Sequence, residues 1–285
     1  MPRARGRGLD TGGSEMEKAG NLYVHGYSDR EIERLVDQGD TLADLLHHDT
    51  RYPAGASVLE AGCGVGAQTV SLVKNSPGAF FTCVDISEES LRVAKARVEK
   101  AGGGKVSFRQ ADIFALDFPD QHFDHIFVCF VLEHLKNPLE ALLYLKSKLK
   151  EGGSMTVIEG DHGSTFFHPD SLEAKRAIRC LVECQARIGG DALIGRRLYP
   201  LLRGAGFENP CVSPRMVYVD ASRPGYVEGF TKNTFTAMVE GVREQAIGSG
   251  MIDLPTWEKG IGDLYRTTEA DGTFCYTFFK GVARR

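Results

Sequence analysis

The sequence predicts an α/β protein built on a doubly wound, mostly parallel sheet. From Ser57 to Glu159, short apolar segments that suit strands alternate with longer segments that suit helices. The intervening segments (67–75, 88–101 and 137–149) are each long enough to form the helical crossover that parallel neighbours require. Acidic residues end several of the strand segments, at the sheet edge where ligands of such proteins bind.

The first predicted strand leads into a glycine-rich turn, with the sequence VLEAGCGVG at residues 58–66. Gly62, Gly64 and Gly66 allow a sharp turn into the next helix and let a ligand approach the backbone closely. Their spacing also fits dinucleotide-binding loops, so the glycines alone leave the ligand open. Glu60 separates the alternatives, because a carboxylate is unfavourable beside a pyrophosphate. It suits a cationic ligand such as S-adenosyl-L-methionine (SAM).

Two later strand ends carry the matching acidic residues. Asp85 follows the predicted strand 80–84 and can accept both hydroxyls of a ribose, which NAD and SAM equally offer. The next predicted strand, from Val106, ends at Asp112, which is placed to accept from an adenine amino group, with Ile113 beside the ring. A nicotinamide enzyme has no use for Asp112, so this position favours SAM.

Two further predicted strands, 123–128 and 154–159, complete the ordered series. The series resembles the class I SAM-dependent methyltransferases, particularly small-molecule enzymes of the ubiquinone and menaquinone biosynthesis type, closely over residues 55–160. The resemblance implies a Rossmann-like methyltransferase fold with seven strands, and SAM as the cofactor. It implies cofactor contacts from Glu60, Gly62, Gly64, Gln68, Asp85, Ile86, Asp112, Ile113, Phe130 and Tyr23. Glu133 and His134 pass beneath the cofactor in this comparison, with backbone contacts expected.

The rest of the chain divides around this core. Residues 1–20, rich in glycine and arginine, predict a flexible tail or an arm that docks on a neighbouring subunit. Residues 21–50 predict a helical lid, and 51–221 with 272–285 predict the SAM-binding core. Residues 222–271 predict a two-helix insertion between the last strands, interpreted as a cap over the acceptor, since long insertions in compact domains tend to be functional.

Methyl transfer from a sulfonium needs mainly an oriented, dry site and at most a base for the acceptor proton. Three ionisable side chains, Glu159, Asp161 and His162, occur just past the fifth predicted strand. His162 is the candidate base because its ordinary pKa lies near neutrality. Glu159 or Asp161 would orient it or bind the acceptor. The alternative is structural, with the carboxylates capping backbone amides and the histidine in a core hydrogen bond.

Four residues are predicted to contact the acceptor: Tyr27, Phe167, His168 and Tyr199. The aromatic residues around the predicted cap suit a phenolic, indolic or isoprenoid acceptor, although core packing explains aromatic stripes equally well. The methylated atom, oxygen, nitrogen or carbon, stays open. For methylation at an alkene carbon, Glu159 or His162 would remove a proton after the methyl group arrives.

Composition limits the other classes of function. The 285 residues carry a net charge of -4 with a pI near 6.1, which argues against nucleic acid as a partner. No apolar run approaches the ~20 residues that span a bilayer, so a membrane partner is not expected. Seven scattered cysteines without a C-x-x-C pair argue against disulfides or a metal site and favour the cytoplasm.

The predicted function is therefore methyl transfer from SAM to a small apolar or aromatic metabolite, with secondary metabolism as the expected setting. A non-catalytic SAM-fold binding module is one alternative, and an NAD-dependent oxidoreductase on the same sheet is another. The predicted partners are a small-molecule acceptor and a second copy of the chain, the latter through the N-terminal segment.

Overall fold

A computed structural model of the protein describes residues 29–285, apart from the side chains of 29–33, 36 and 37. The strands are β1 (Ser57–Ala61), β2 (Phe80–Asp85), β3 (Val106–Gln110), β4 (Phe123–Cys129), β5 (Leu149–His168), β6 (Glu208–Val219) and β7 (Thr273–Arg284). The α-helices are α1 (Asp29–His47), α2 (Ala67–Asn75), α3 (Glu88–Lys100), α4 (Pro138–Lys148), α5 (Leu172–Arg187), α6 (Leu198–Gly204), α7 (Pro224–Tyr226), α8 (Ala237–Gly241), α9 (Arg243–Gly248) and α10 (Leu254–Arg266). Short 3-10 helices cover Leu132–His134 and Ile194–Arg197, and a π-helix covers Val227–Thr236.

The strands form one seven-stranded sheet in the order β3-β2-β1-β4-β5-β7-β6. The first five of these strands run parallel, with helical crossovers from β1 to β2, β2 to β3 and β4 to β5, while β7 runs antiparallel to both β5 and β6. The predicted doubly wound, mostly parallel architecture is confirmed. It brings the carboxyl ends of β1, β2 and β4 to one edge of the sheet.

An apolar core covers each face of the sheet. Val58 and Leu59 are adjacent in β1 yet belong to different cores, because successive side chains of a strand point to opposite faces. The core that contains Val58 also holds the C-terminal helical segments, with Trp257 and Phe235 fully buried in it. The helices between β6 and β7 are thus held to the sheet by burial of large aromatic side chains.

The fifth strand is far longer than the predicted segment 154–159. It runs from Leu149 to His168 and pairs with β7 as far as His168 opposite Thr273, with a bulge between Asp161 and Phe166. The expectation that residues 160–164 lie past the strand was wrong, because β7 pairs with Gly160 and Asp161 and pairs again from Phe166 onward. His162 lies in the bulge of this strand, where its amide donates to the Ala192 carbonyl at 2.9 Å.

The segment between β6 and β7 is helical, but it contains a succession of short helices instead of two long ones. The π-helix is its first substantial element and packs against α1. A Cβ atom on Gly229 would collide with the hydroxyl of Thr41, so glycine lets the two helices meet closely. Within residues 29–285, no helix combines the length and the apolar character needed to cross a membrane.

Candidate active site

The glycine-rich turn after β1 is open at its middle position. Gly62, Gly64 and Gly66 have positive φ angles of 77°, 50° and 74°. A Cβ atom on Gly62 would lie 2.5 Å from a Val131 methyl, and one on Gly66 would lie 2.9 Å from Ala94, so both positions are filled by packing. A Cβ atom on Gly64 would meet nothing within 4 Å. The backbone at Gly64 is therefore where a ligand can approach.

Asp85, at the end of β2, organises this turn. Its Oδ2 accepts from the Gly64 amide at 2.8 Å, and its Oδ1 accepts from the Ser87 amide at 2.9 Å. Burial raises the pKa of Asp85, and the backbone hydrogen bonds oppose that rise. Each carboxylate oxygen keeps a lone pair, so the group can still accept two hydroxyls of a ribose.

The chain after β3 provides Asp112 and Ile113, and the neighbouring turn after β2 provides a second apolar side chain. Asp112 is exposed, and its Oδ1 accepts from the Phe114 amide at 2.9 Å, which leaves Oδ2 for an amino group. Ile113 is buried, whereas Ile86 on the neighbouring turn is half exposed. This combination fits the edge and faces of a purine.

Glu60 lies behind the turn instead of facing it. Its Oε2 accepts from the Thr69 hydroxyl at 2.7 Å and from the Cys83 thiol at 3.3 Å. Burial raises the pKa of Glu60 to about 7, against the lowering effect of these two hydrogen bonds. In this arrangement Glu60 braces the first turn of α2 against β2.

Gln68 connects the glycine-rich turn to α1. Its Oε1 lies 2.5 Å from Nε2 of His47, the last residue of α1, and both side chains are buried. Burial lowers the pKa of His47 to about 4. The neutral ring, packed on Phe127, fixes the end of α1 against the glycine-rich turn.

Glu159 supports the backbone after β4. Its Oε1 accepts from the amides of Val131 at 3.0 Å and Leu132 at 2.8 Å, while Oε2 is buried without a hydrogen-bond partner among the described residues. Burial, with the nearby charge of Glu133, raises its pKa well above the usual range. Phe130 begins this turn with a φ of 58°, an uncommon conformation for a residue with a side chain.

Asp161 is committed to an ion pair. The guanidinium of Arg196 contacts it through Nε at 2.7 Å from Oδ2 and Nη2 at 2.8 Å from Oδ1. The Gly163 amide adds a third hydrogen bond, to Oδ1. Asp161 is buried, and this bidentate geometry locks the 3-10 helix that carries Arg196 onto β5, just before its bulge.

A small cavity of about 50 Å³ lies where β5 and β7 meet α1 and the π-helix. Its polar lining residues are Arg34, Gln38, Glu133, His134, His162 and Tyr276. Its other lining residues are Leu35, Phe130, Gly160, Phe230, Phe235, Met238 and Phe278. An aromatic wall thus faces a compact group of ionisable side chains.

His162 is the predicted catalytic residue that lines this cavity; Glu159 and Asp161 do not. Its Nδ1 lies 2.7 Å from the Tyr276 hydroxyl, and its ring meets the Phe235 ring edge-on. Burial lowers the pKa of His162, against the opposing charges of Glu133 and Asp161. The imidazole is therefore neutral at physiological pH and able to accept a proton.

Sequence reasoning expects only backbone contacts from Glu133 and His134 and does not name Tyr276, whereas all three residues line the cavity. Glu133 Oε1 lies 3.6 Å from His134 Nε2, and its Oε2 accepts from Gln185 Nε2 at 3.2 Å. The position of the Glu133–His134 pair just after β4 is the sequence signal that indicates a place near the ligand-binding edge of the sheet. Tyr276 gives no such signal, since it alternates with Phe274 and Phe278 in an aromatic strand.

The π-helix explains how two phenylalanines reach the cavity together. Phe230 and Phe235 are five residues apart, and the i to i+5 hydrogen bonding of a π-helix stacks such residues on one face. The Thr234 hydroxyl donates to the Gly229 carbonyl, also five residues away, at 2.7 Å. In an ordinary α-helix these two rings would diverge.

Three of the four predicted acceptor contacts, Phe167, His168 and Tyr199, do not line the cavity. Phe167 is buried and stacks on Phe274, while His168 is exposed at the end of β5 and Tyr199 is exposed on α6. The remaining residue, Tyr27, and the predicted cofactor contact Tyr23 lie outside the described residues. Phe167 packs in the core instead, because an inward-facing strand residue can serve the core as readily as a pocket.

The family description "Methyltransferase domain" matches residues 59–157, which contain Glu60, Asp85 and Asp112. The chain contains a class I SAM-dependent methyltransferase domain. The match decides between the two nucleotide interpretations of the glycine-rich turn in favour of SAM, the cofactor of this domain class. It ends before His162, so the acceptor side of the methyltransferase domain rests on geometry alone.

Individual relatives show how far the similarity extends. The malonyl-[acyl-carrier protein] O-methyltransferase of Paenibacillus sp. (strain JDR-2) is 32% identical over 140 residues, which cover 48% of this chain and 49% of the relative. The sterol 24-C-methyltransferase ERG6B of Gibberella zeae is 31% identical over 201 residues, covering 67% and 51%. The chain thus spans about half the length of these curated relatives.

A solved structure shares the fold. The phosphoethanolamine N-methyltransferase 2 of Haemonchus contortus, in complex with SAM, superposes with a TM-score of 0.53 at 16% identity, over 87% of this chain and 52% of that one.

Among residues 29–285, no three His, Cys, Asp or Glu side chains cluster as a metal site would require.

Proposed function

We propose that this protein transfers the methyl group of SAM to a small, largely apolar acceptor bound in the cavity beside His162. One observation carries the proposal: a buried, neutral histidine lines an aromatic-walled cavity in a chain that contains a SAM-dependent methyltransferase domain. Aromatic walls favour an apolar acceptor, and the ionisable group at the other side favours an acceptor that gives up a proton.

The residues proposed to hold the cofactor suit its parts. Gly64 offers open backbone, and Asp85 accepts from the ribose hydroxyls. Asp112 accepts from the adenine amino group, with Ile86 and Ile113 on the faces of the ring. Glu60, Gln68 and Phe130 are assigned an indirect part, through the bracing of the turn, the lid helix and the chain after β4.

SAM, when bound, supplies an electrophilic methyl group. His162 is proposed to take the proton that leaves the acceptor, whether from a hydroxyl, an amine or a carbon centre. The enclosing rings of Phe230, Phe235 and Phe278 exclude water from the reacting atoms, which strengthens the electrostatic interactions within the cavity. Glu159 and Asp161 hold the backbone around the site and are not assigned a proton-transfer step.

We also propose the cytoplasm as the place where the protein acts. Six of the seven cysteines are buried and all seven are free, as the reducing cytoplasm favours. The aromatic lining of the cavity supports a phenolic, indolic or isoprenoid acceptor, and secondary metabolism is the role that we propose for such a reaction.

Calorimetric titration of the purified protein tests the cofactor half of the proposal. Micromolar binding of S-adenosylhomocysteine without binding of NADH is the expected result. Binding of NADH alone would overturn the assignment of Glu60 and Asp112. For the acceptor half, transfer of radiolabelled methyl from SAM to a panel of phenols, indoles and prenyl alcohols is expected to depend on His162.

A further inference from the structure

The hydroxyl of Tyr276 is fixed between His162 and the main chain of β5. It lies 2.7 Å from Nδ1 of His162, although the two residues are 114 positions apart in sequence. A Cβ atom on Gly160 would collide with this hydroxyl, so the absence of a side chain at Gly160 makes room for it. Tyr276 is fully buried, and its ring is wedged among Phe230, Phe235 and Phe278. The hydroxyl therefore has little freedom to move away from the imidazole.

We propose that Tyr276 is the positioning residue of His162: its hydroxyl oxygen accepts a hydrogen bond from Nδ1–H, which aims Nε2 at the acceptor and stabilises the ring when it becomes charged. This inference rests on the proposed function, in which His162 takes the acceptor proton. It assigns Tyr276 no direct contact with the acceptor's reacting atom.

The number of hydrogens on the imidazole of His162 explains why Tyr276 is needed. The neutral ring carries one hydrogen, on Nδ1 or on Nε2. When Nε2 accepts a proton from the acceptor, both ring nitrogens become donors, and the Nδ1 hydrogen needs an acceptor in a site without water. The Tyr276 oxygen, 2.7 Å from Nδ1, can accept this hydrogen bond. Burial raises the pKa of the phenol well above its usual range, so Tyr276 stays protonated and neutral throughout.

Several charged groups face His162 besides Tyr276. Glu133 and His134 approach from the 3-10 helix after β4, Arg34 from α1, and Asp161 from the same strand. The carboxylates raise the pKa of His162, whereas Arg34 and His134 lower it. None of these four accounts for the orientation of the ring, because the hydrogen bond at Nδ1 is made by Tyr276.

The proposal predicts the direction of a pKa change. In Tyr276→Phe, the ring packing is retained but the acceptor for the Nδ1 hydrogen is lost, which disfavours the imidazolium. The pKa of His162 should fall by about one unit or more below its wild-type value, as expected for loss of a hydrogen bond to a charged group.

Nuclear magnetic resonance titration of the histidine ring signals tests this in the full-length protein, with His162→Asn identifying the signal. Tyr52→Phe is the matched control, because it removes another buried phenol hydroxyl away from the cavity and should leave the His162 pKa unchanged. An unchanged or raised pKa in Tyr276→Phe would overturn the proposal. If that variant does not fold, Gly160→Ala displaces the same hydroxyl and should shift the pKa in the same direction.

Titration with S-adenosylhomocysteine separates this inference from the proposed function. Wild type and Tyr276→Phe should bind it equally, because Tyr276 is not among the cofactor residues. Loss of binding in wild type would refute the proposed function, whereas the pKa result decides the role of Tyr276 by itself.

Discussion

The carboxylate of Asp85 accepts a hydrogen bond from the amide of Gly64 at 2.8 Å, which ties the end of β2 to the open position of the glycine-rich turn. The same carboxylate accepts from the Ser87 amide. A single side chain thus fixes the loop that a nucleotide approaches and remains able to bind the nucleotide. This double role makes the cofactor site sensitive to changes at Asp85.

Replacement of Asp85 by alanine should weaken binding of S-adenosylhomocysteine by about 100-fold or more, since two hydrogen bonds to a charged acceptor are lost. Asp85→Asn keeps one acceptor oxygen and should lose about tenfold. Calorimetry on the folded variants measures both. Asp120→Asn is the control, because that exposed carboxylate pairs with Lys148 on the surface. Wild-type affinity in Asp85→Ala would contradict the site assignment.

Replacement of His162 by alanine should leave S-adenosylhomocysteine affinity unchanged and lower kcat for a cognate acceptor by about 10² to 10⁴, the usual contribution of a positioned base. The exposed His122 provides the control His122→Ala, which should retain wild-type turnover. Unchanged turnover in His162→Ala would mean that His162 is a structural residue whose hydrogen bond to Tyr276 serves the packing of the core.

Glu159 offers a test of a buried carboxyl group. Glu159→Gln retains the oxygen that accepts from Val131 and Leu132 and should change the free energy of unfolding by less than about 1 kcal/mol. Glu159→Ala leaves both amides unpaired and should cost about 2–5 kcal/mol. Urea denaturation compares the two. Equal destabilisation would mean that Glu159 is ionised in the folded protein, contrary to the upward shift of its pKa.

The parallel half of the fold could be predicted because its signals are local. Gly62, Gly64 and Asp85 stand at the ends of strands that the hydrophobic pattern marks within a few residues. The length of β5 could not be predicted in this way. His168 belongs to the strand because Thr273 pairs with it, and that partner lies more than a hundred residues away.

In the candidate site, too, local sequence signals indicate some residues, whereas others depend on partners that are distant in sequence. The sequence singles out His162 as a candidate base because an ionisable residue near the end of a predicted strand is conspicuous. Asp161 was given a similar role, but its carboxylate is bound by Arg196 on a 3-10 helix whose docking no sequence period reveals. Tyr276 was missed because a tyrosine among alternating phenylalanines matches the pattern of a core strand.

His47 should make stability depend on pH in the acidic range. Burial lowers its folded-state pKa to about 4 from 6.5, with Lys280 adding to this and Gln68 and Asp49 opposing it. Below pH 6.5 the unfolded chain binds a proton that the folded chain does not, so stability is lost as pH falls towards 4. Relative to His47→Gln, wild type should lose about 2 kcal/mol between pH 6.5 and 5. Urea unfolding at the two pH values measures this, and parallel pH profiles would contradict it.

The cavity beside His162 is limited by the ring of Phe235, which the π-helix places opposite the imidazole. At about 50 Å³ it is smaller than an apolar cavity of about 150 Å³ that takes benzene, so an aromatic acceptor has to displace part of this wall. Phe235→Ala should cost about 3–5 kcal/mol of stability and create the missing space.

Saturating benzene should therefore raise the Tm of Phe235→Ala by more than that of wild type, because in wild type part of the binding free energy is spent on displacing the Phe235 ring. Phe207→Ala is a matched control for packing loss, since Phe207 is equally buried in the core on the opposite face of the sheet. Addition of S-adenosylhomocysteine to both variants checks that the cofactor site is intact. An equal benzene response in wild type would mean that the π-helix already yields to an aromatic ligand, and Phe235 would then not set the size of the acceptor.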